Sequence, residues 1–283
     1  MTSVIKRIFV TLLLPPLLFC LILFLPHYAY LTLALLALLV VLIGSHEMYA
    51  LIRKATGISP QIPFWLPSFL IVAQWGELYF FPGSPVTDLM FISLIITSMI
   101  IEIFRGASDM FAGGIRRLGS TLLLIVYPGY LTTFIIRLTA FPDMNITFHL
   151  ILFFLLVFTN DIFAYVFGML LGKNNRGIFK VSPNKSMAGF IGGILSTMVI
   201  GIAFVLLFPA YTHLSVIQTA VIALLVSLAA TIGDLIESVF KRAAGVKDSG
   251  RFIPGRGGML DSLDSLLTSA PLFLLLVTMT LQA

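Results

Sequence analysis

The sequence is short of charge. Only 10% of its 283 residues are Asp, Glu, Lys or Arg, against roughly 25% in an ordinary soluble domain. That leaves too little polar surface to coat a globule of this size in water, which excludes a soluble enzyme, a disordered chain and a collagen-like rod. Cysteine is nearly absent. Cys20 stands alone in an apolar run, so neither a disulfide framework nor a Cys-based metal site can be built within one chain. Histidine is scarce, with four residues and none after His213. Internal repeats and low-complexity stretches are also missing. Only 12 residues are acidic, so any place where they gather is informative.

What is there is apolar: 59% of the chain is hydrophobic, and mean hydropathy is +1.08. A spanning helix needs about 20 mostly apolar residues, a spanning strand about 10 with alternating character. The long runs here do not alternate, which predicts an all-α polytopic membrane protein of about nine transmembrane helices. They fall at 8–25, 30–52, 64–81, 89–104, 120–138, 147–171, 187–208, 215–238 and 265–281. The first follows Lys6 and Arg7 as a signal peptide would. No small-residue cleavage site follows it, however, and an uncleaved first helix is expected.

Charge then sets orientation. Sixteen of the 17 Lys and Arg residues lie before span one or after spans two, four, six and eight, on alternate sides of the membrane. Arg137 is the exception. The positive-inside rule places the N-terminus and these loops in the cytoplasm, and nine crossings put the C-terminus outside. The basic balance of +5 is thereby assigned to the bilayer surface, with no nucleic acid. Residues 1–146 supply about five spans. Residues 147–283 supply about four and carry the dense polar motifs, making them the expected catalytic half.

Five of the 12 acids lie between 234 and 264. Asp234, Glu237, Ser238 and Lys241 are spaced i, i+3, i+4, i+7, so they share one helix face at the cytoplasmic end of span eight. Asp261, Asp264 and Ser265 repeat the i, i+3, i+4 spacing at the start of span nine. Between them, residues 247–258 hold four glycines and the cations Lys247, Arg251 and Arg256. Ionisable residues inside spans are expensive and mark functional sites by default. Carboxylates converging at one depth repel unless a cation lies between them, and their oxygens suit Mg²⁺. A glycine-rich basic loop lets backbone N–H groups and cations approach phosphates. Together these features point to Mg²⁺ and a phosphorylated substrate.

The same residues carry a resemblance. Ser238, Lys241-Arg242, Lys247-Asp248, Pro254-Gly255-Arg256-Gly257-Gly258, Asp261 and Asp264 resemble the signature of the phosphatidate cytidylyltransferase (CDP-diglyceride synthase) family. That signature reads S-x-x-K-R, four residues, K-D, then P-G-H-G-G, two residues, and D-R-x-D. Upstream, Asp161 with Ala164-Tyr165 and Gly168 with Gly172-Lys173 resemble its D-x-x-A-Y and G-x-x-x-G-K segments. Ser182-Pro183-Asn184-Lys185-Ser186 and Gly189 with Gly192-Gly193 resemble its S-P-x-K-[ST] and G-x-x-G-G. The ordered motifs cover about 159–265. Arg256 stands where the pattern has His, keeping a phosphate donor but losing a titratable imidazole. Ser262 stands where it has Arg, losing a cation beside the carboxylates.

The resemblance implies an enzyme of phospholipid biosynthesis that joins CTP and phosphatidic acid into CDP-diacylglycerol and pyrophosphate. It implies Asp234, Asp261 and Asp264 as metal ligands, with Asp264 open to sharing by a second cation. Asp234, Asp261, Asp264 and Lys241 would form the catalytic set. Ser238, Arg242, Lys247, Asp248, Arg256, Gly257 and Gly258 would bind substrate, with Lys173, Ser182 and Lys185 closing from the previous loop. Asp161 lies within reach, its role open. The lipid nucleophile is an ionised phosphate oxygen, so no strong base is needed, in keeping with the missing histidines. The compact chain suits a bacterial inner membrane, and a homodimer is left open.

Alternatives stand beside this reading. A CTP-dependent polyprenol kinase would release CDP, but it needs a base to activate a hydroxyl. A cation-coupled transporter would carry its site near the midplane and often an internal repeat. A degenerate homologue is the reading that Arg256 and Ser262 leave open. Elsewhere His46-Glu47 is expected to make an intramembrane polar contact, with a contribution to the site as the other reading, and Glu102 is expected to be a solvated helix end. His27, His149 and His213 are expected at the interface, and Gly189, Gly192 and Gly193 at a close helix crossing.

Overall fold

The computed structural model describes residues 15–140, 145–255 and 257–282. Its helices are α1 (Pro15–Phe24), α2 (His27–Thr56), α3 (Phe69–Tyr79), α4 (Val86–Arg105), α5 (Gly114–Leu124) and α6 (Leu131–Arg137). They continue with α7 (Ile146–Leu171), α8 (Met187–Leu207), α9 (Pro209–Thr212), α10 (Val216–Ala243) and α11 (Leu260–Gln282). A π-helical turn, Ile125–Tyr130, joins α5 to α6. Among the described residues there is no strand, only isolated bridges from Arg176 to Ser186 and from Ile253 to Gly257. Seven stretches among them are long and apolar enough to cross a membrane, and the protein is an all-α, multi-pass integral membrane protein.

Four of the expected spans, 30–52, 89–104, 147–171 and 265–281, lie within α2, α4, α7 and α11, and 187–208 and 215–238 overrun α8 and α10 by one residue each. The expected span 120–138 lies within Gly114–Ala140, a single apolar stretch despite its change of helical type. Two spans differ in form. The first is helical over Pro15–Phe24, and its start lies outside the described residues. The third, expected over 64–81, is an 11-residue α-helix behind the short 3₁₀ turn Leu66–Ser68. The reason is proline: Pro60, Pro63 and Pro67 remove backbone donors and push their predecessors out of the helical region.

Polar contacts sort the helix ends into two sets. At one end Glu47 of α2 meets the α10–α11 loop, and Gln61 N–H donates to Thr121 Oγ1 at 2.9 Å. There too Arg117 of α5 pairs with Glu102 of α4 and Asp109, each at 2.6 Å. At the other end Tyr30 and Thr147 hydroxyls lie 2.7 Å apart, and Trp75 Nε1 donates to the Tyr28 carbonyl at 2.9 Å. Arg137, the one cation predicted for that side, donates to Asp88 at 2.5 Å and Gln74 at 2.6 Å. The basic loops after α2, α4, α7 and α10 therefore share one end, as the Lys and Arg alternation predicts, while Lys6 and Arg7 lie outside the described residues.

Two expectations are corrected. Glu102 is buried, held by the Arg117 fork and the Gln61 side chain, because α5 folds back over the end of α4. His149 is also fully buried, its ring nitrogens each 3.1 Å from a carbonyl oxygen, those of Asn145 and Thr212. The short helix α9 covers it.

The core that positions the site is made by α7, α8, α10 and α11, packed in sequence, with α6 against α11. Glycines set these crossings. A Cβ on Gly189 would lie 2.5 Å from the Ala164 carbonyl, one on Gly192 would strike the Phe167 ring, and one on Gly193 would lie 2.9 Å from Asn160 Oδ1. Small residues let helix backbones approach in a membrane, where packing and not hydrophobicity drives association. Gly233 does the same for α10 and α11: its Cβ would fall 2.2 Å from the Asp264 carbonyl oxygen. Ser186 caps α8, and Ser215 with Gln218 forms a capping box on α10.

Candidate active site

The close approach at Gly233 brings the acidic faces of α10 and α11 together. One carboxylate oxygen from each of Asp234, Glu237 and Asp264 lies within 4.8 Å of the other two. Glu237 is fully buried, Asp264 nearly so, and the Asp234 side chain is partly open. Three carboxylates so placed repel one another unless positive charge intervenes. Some comes from the protein. The Lys241 ammonium pairs with Glu237 and, at 2.6 Å, with Asp261 Oδ1. The Lys185 ammonium lies 2.9 Å from Asp234 Oδ2.

The set fits a divalent cation. Its donors are hard carboxylate oxygens from two helices, the kind Mg²⁺ takes while keeping places for water or phosphate. Both Glu237 oxygens are buried, and the Lys241 ammonium that pairs with this carboxylate is shared with Asp261. A buried carboxylate that shares its cation with a second carboxylate costs free energy, and a bound metal ion relieves it.

Asp261 has a different set of partners from its two helical neighbours. Besides Lys241, its Oδ2 accepts from Ser249 N–H at 3.0 Å, Ser249 Oγ at 3.0 Å and Gly258 N–H at 2.7 Å. It therefore folds the glycine-rich loop back on the start of α11. Glu47 reaches the same loop from α2. Its carboxylate accepts from Met259 N–H and Leu260 N–H, each at 2.9 Å, and lies 2.9 Å from Ser249 Oγ, whose single proton it shares with Asp261. This buried anion caps the N-terminus of α11, where unpaired amides and the helix dipole favour negative charge. The loop glycines make room: a Cβ on Gly250 would fall 2.1 Å from Glu47 Oε1, and one on Gly258 2.4 Å from Oε2. Gly257 has φ +118, a conformation that side chains rarely adopt.

The remaining expected residues surround this core. Asp161 of α7 accepts from Ser265 Oγ at 3.2 Å, joining α7 to α11. Ser238 is buried on α10 beside Glu237. Arg242 Nε donates to the Val181 carbonyl at 3.3 Å, drawing the α7–α8 loop over the end of α10. Lys185 of that loop enters the cluster, Ser182 is half-buried in it, and Lys173 is exposed at its start. Lys247 and Asp248 are exposed on the α10–α11 loop. Arg256 lies outside the described residues. The structure thus gathers Asp161, Asp234, Asp261, Asp264, Lys185 and Lys241, and leaves Lys173, Arg242, Lys247 and Asp248 at the rim. Sequence reasoning placed Glu237 on the acidic face without making it a ligand. Its i+3 spacing from Asp234 was the available signal.

Helix ends bearing clustered carboxylates, under loops rich in glycine and cations, define a membrane-embedded enzyme that handles phosphates. Comparison with known proteins narrows this. Residues 5–280 match the cytidylyltransferase family, and the chain belongs to it. It is similar to a phosphatidate cytidylyltransferase of Staphylococcus haemolyticus (strain JCSC1435), 43% identical over 130 residues, 46% of this chain and 49% of that protein. A phosphatidate cytidylyltransferase of Staphylococcus saprophyticus subsp. saprophyticus is 35% identical over 197 residues, 69% of this chain and 72% of that one. The uncharacterized protein YnbB of Escherichia coli (strain K12) is 32% identical over 233 residues, 79% and 74% respectively. The chain thus spans about half the length of the first relative and nearly three quarters of the other two.

Proposed function

We propose that the protein is a phosphatidate cytidylyltransferase that joins CTP to phosphatidic acid in a bacterial inner membrane, with Mg²⁺ as cofactor and its site open to the cytoplasm. The observation that carries this reading is the Asp234, Glu237 and Asp264 set, flanked by Lys185 and Lys241, in a chain of the cytidylyltransferase family.

In the reaction a phosphate oxygen of the lipid forms a bond to the α-phosphorus of CTP. The bond from that phosphorus to the oxygen bridging to the β-phosphate breaks, and pyrophosphate leaves with the electron pair. The attacking phosphate is already ionised at neutral pH, so no residue has to remove a proton. The work left to the protein is positioning and neutralising charge. Asp234, Glu237 and Asp264 would hold Mg²⁺, which supplies charge neutralisation at the reacting phosphate. Lys185 and Lys241 are cations already held at that place, and each can turn from its carboxylate to a phosphate oxygen. Lys173, Arg242 and Lys247, at the rim, suit the outer phosphates of CTP. Asp261 and Glu47 hold the glycine loop in place beside the site. The positive-inside distribution supports a cytoplasmic opening, with CTP arriving from water and the lipid from the bilayer.

The test uses CTP labelled in turn at the α- and γ-phosphate, with phosphatidic acid and Mg²⁺. Label from the α-position entering the lipid is the expected result. Label from the γ-position doing so would mean a kinase, and neither would contradict both.

A further inference from the structure

Three hydroxyls buried on the elements around the carboxylates have no hydrogen-bond partner among the described residues: Ser45 of α2, Tyr127 of the π-helical turn and Ser262 of α11. Tyr127 is the most informative. It is 4% exposed, and its ring packs edge-on against Phe240 at 5.1 Å. Phe240 lies on α10 between Glu237 and Lys241, one turn from the first and adjacent to the second. The π turn also touches α11 and α2, the helices that carry Asp264 and Glu47. The turn itself has a cause in sequence. Pro128 has no N–H to give and crowds the preceding turn, and the helix widens over Ile125–Tyr130. Such π turns inside α-helices occur frequently at functional sites.

A buried phenol without a partner is unfavourable, and phenylalanine would fill the same space without that penalty. The hydroxyl is therefore better explained by a ligand than by packing. Of the neighbouring carboxylates, Asp261 is taken by Lys241 and the loop amides and Asp234 by Lys185, while Glu237 and Asp264 would be taken by the cation of the proposed function. The polar group that enters this site on the proposed function is a phosphate, whose oxygens accept hydrogen bonds. We propose that Tyr127 is a further substrate-binding residue, its hydroxyl donating to a phosphate oxygen of the bound nucleotide or lipid. The inference rests on the proposed chemistry of the site, and it assigns a residue outside the motifs that carry the family resemblance.

The experiment compares the wild-type protein with Tyr127→Phe in detergent. Binding of CTP and of dioctanoyl phosphatidic acid is measured separately, each with Mg²⁺ and without the other, so that no turnover occurs. Thermal unfolding and steady-state kinetics complete the comparison. The expected result is a loss of about 10- to 100-fold in kcat/KM, the scale of one hydrogen bond to a charged group, with a Tm equal to or above wild type. Weaker CTP binding alone assigns the contact to the nucleotide, and weaker phosphatidic acid binding alone assigns it to the lipid. A loss confined to kcat places it in the transition state. Unchanged binding and kinetics would overturn the proposal. A clearly lowered Tm would overturn it too, because the hydroxyl would then have a structural partner. Wild-type protein that binds both ligands but forms no lipid-linked cytidine would contradict the proposed reaction, while the binding comparison would still decide the role of Tyr127.

Discussion

Glu47 and Leu260 stand 213 positions apart, yet the Leu260 amide donates to the Glu47 carboxylate at 2.9 Å. The second helix thereby supplies the cap of the last one, and the same carboxylate receives Met259 and shares the Ser249 hydroxyl proton with Asp261. The glycine loop is thus held from both sides, by Asp261 at its own end and by Glu47 across the bundle.

Glu47→Ala should free that loop. Two backbone hydrogen bonds to one charged group disappear, and amides at the start of α11 lose their acceptor. Hydrogen exchange at Met259 and Leu260 should accelerate about 10- to 100-fold, with little change in the α7–α8 core. Equal protection in the variant would mean that Glu47 is a passive neighbour.

The glycine at the α10–α11 crossing offers a second check. Gly233→Ala places a methyl group 2.2 Å from the Asp264 carbonyl oxygen, so the helices must separate. A destabilisation of about 1–3 kcal/mol, read as a lowered Tm, is expected, together with loss of activity as the carboxylates part. Gly119→Ala is the comparison, since nothing lies within 4 Å of its Cβ. Its Tm should stay the same or rise, because alanine favours the helix. Equal effects would contradict the close crossing.

Cation binding distinguishes the carboxylates. A ligand that binds only the folded protein stabilises it by about 2.7 kcal/mol at a hundredfold excess over Kd. Mg²⁺ should raise the Tm of the wild type, and Asp234→Asn, Glu237→Gln and Asp264→Asn should each abolish most of that rise. Asp261→Asn should retain it while loosening the loop, because Lys241 and the loop amides occupy that carboxylate. The reverse pattern, with Asp261 needed and Glu237 dispensable, would support the ligand set implied by family resemblance.

These contrasts show where sequence is legible. Hydropathy located the long helices because each must be apolar over its whole length, and the Lys and Arg alternation gave their directions. Residue spacing put Asp234, Glu237 and Lys241 on one face and Asp261 and Asp264 on another, since helical period depends only on local sequence. Which carboxylate Lys241 would choose is a matter of how α10 rotates against α11 at Gly233, and no local pattern encodes it. The capping role of Glu47 joins residues more than two hundred positions apart. The short third helix was hidden because apolar residues surround Pro63 and Pro67, and hydropathy does not register a missing amide. Tyr127 sits in an apolar span where one hydroxyl attracts no notice. Its meaning comes only from the absence of a partner among the described residues.

The most direct test of the central claim is the product assay of purified protein with CTP, phosphatidic acid and Mg²⁺, run beside Asp264→Asn. Pyrophosphate and lipid-linked cytidine should appear in equal amounts, and should fall by about 10²–10³-fold in the variant, the scale on which loss of one essential electrostatic group acts. Folded wild-type protein that forms neither product, or an Asp264→Asn variant as active as the wild type, would contradict the account.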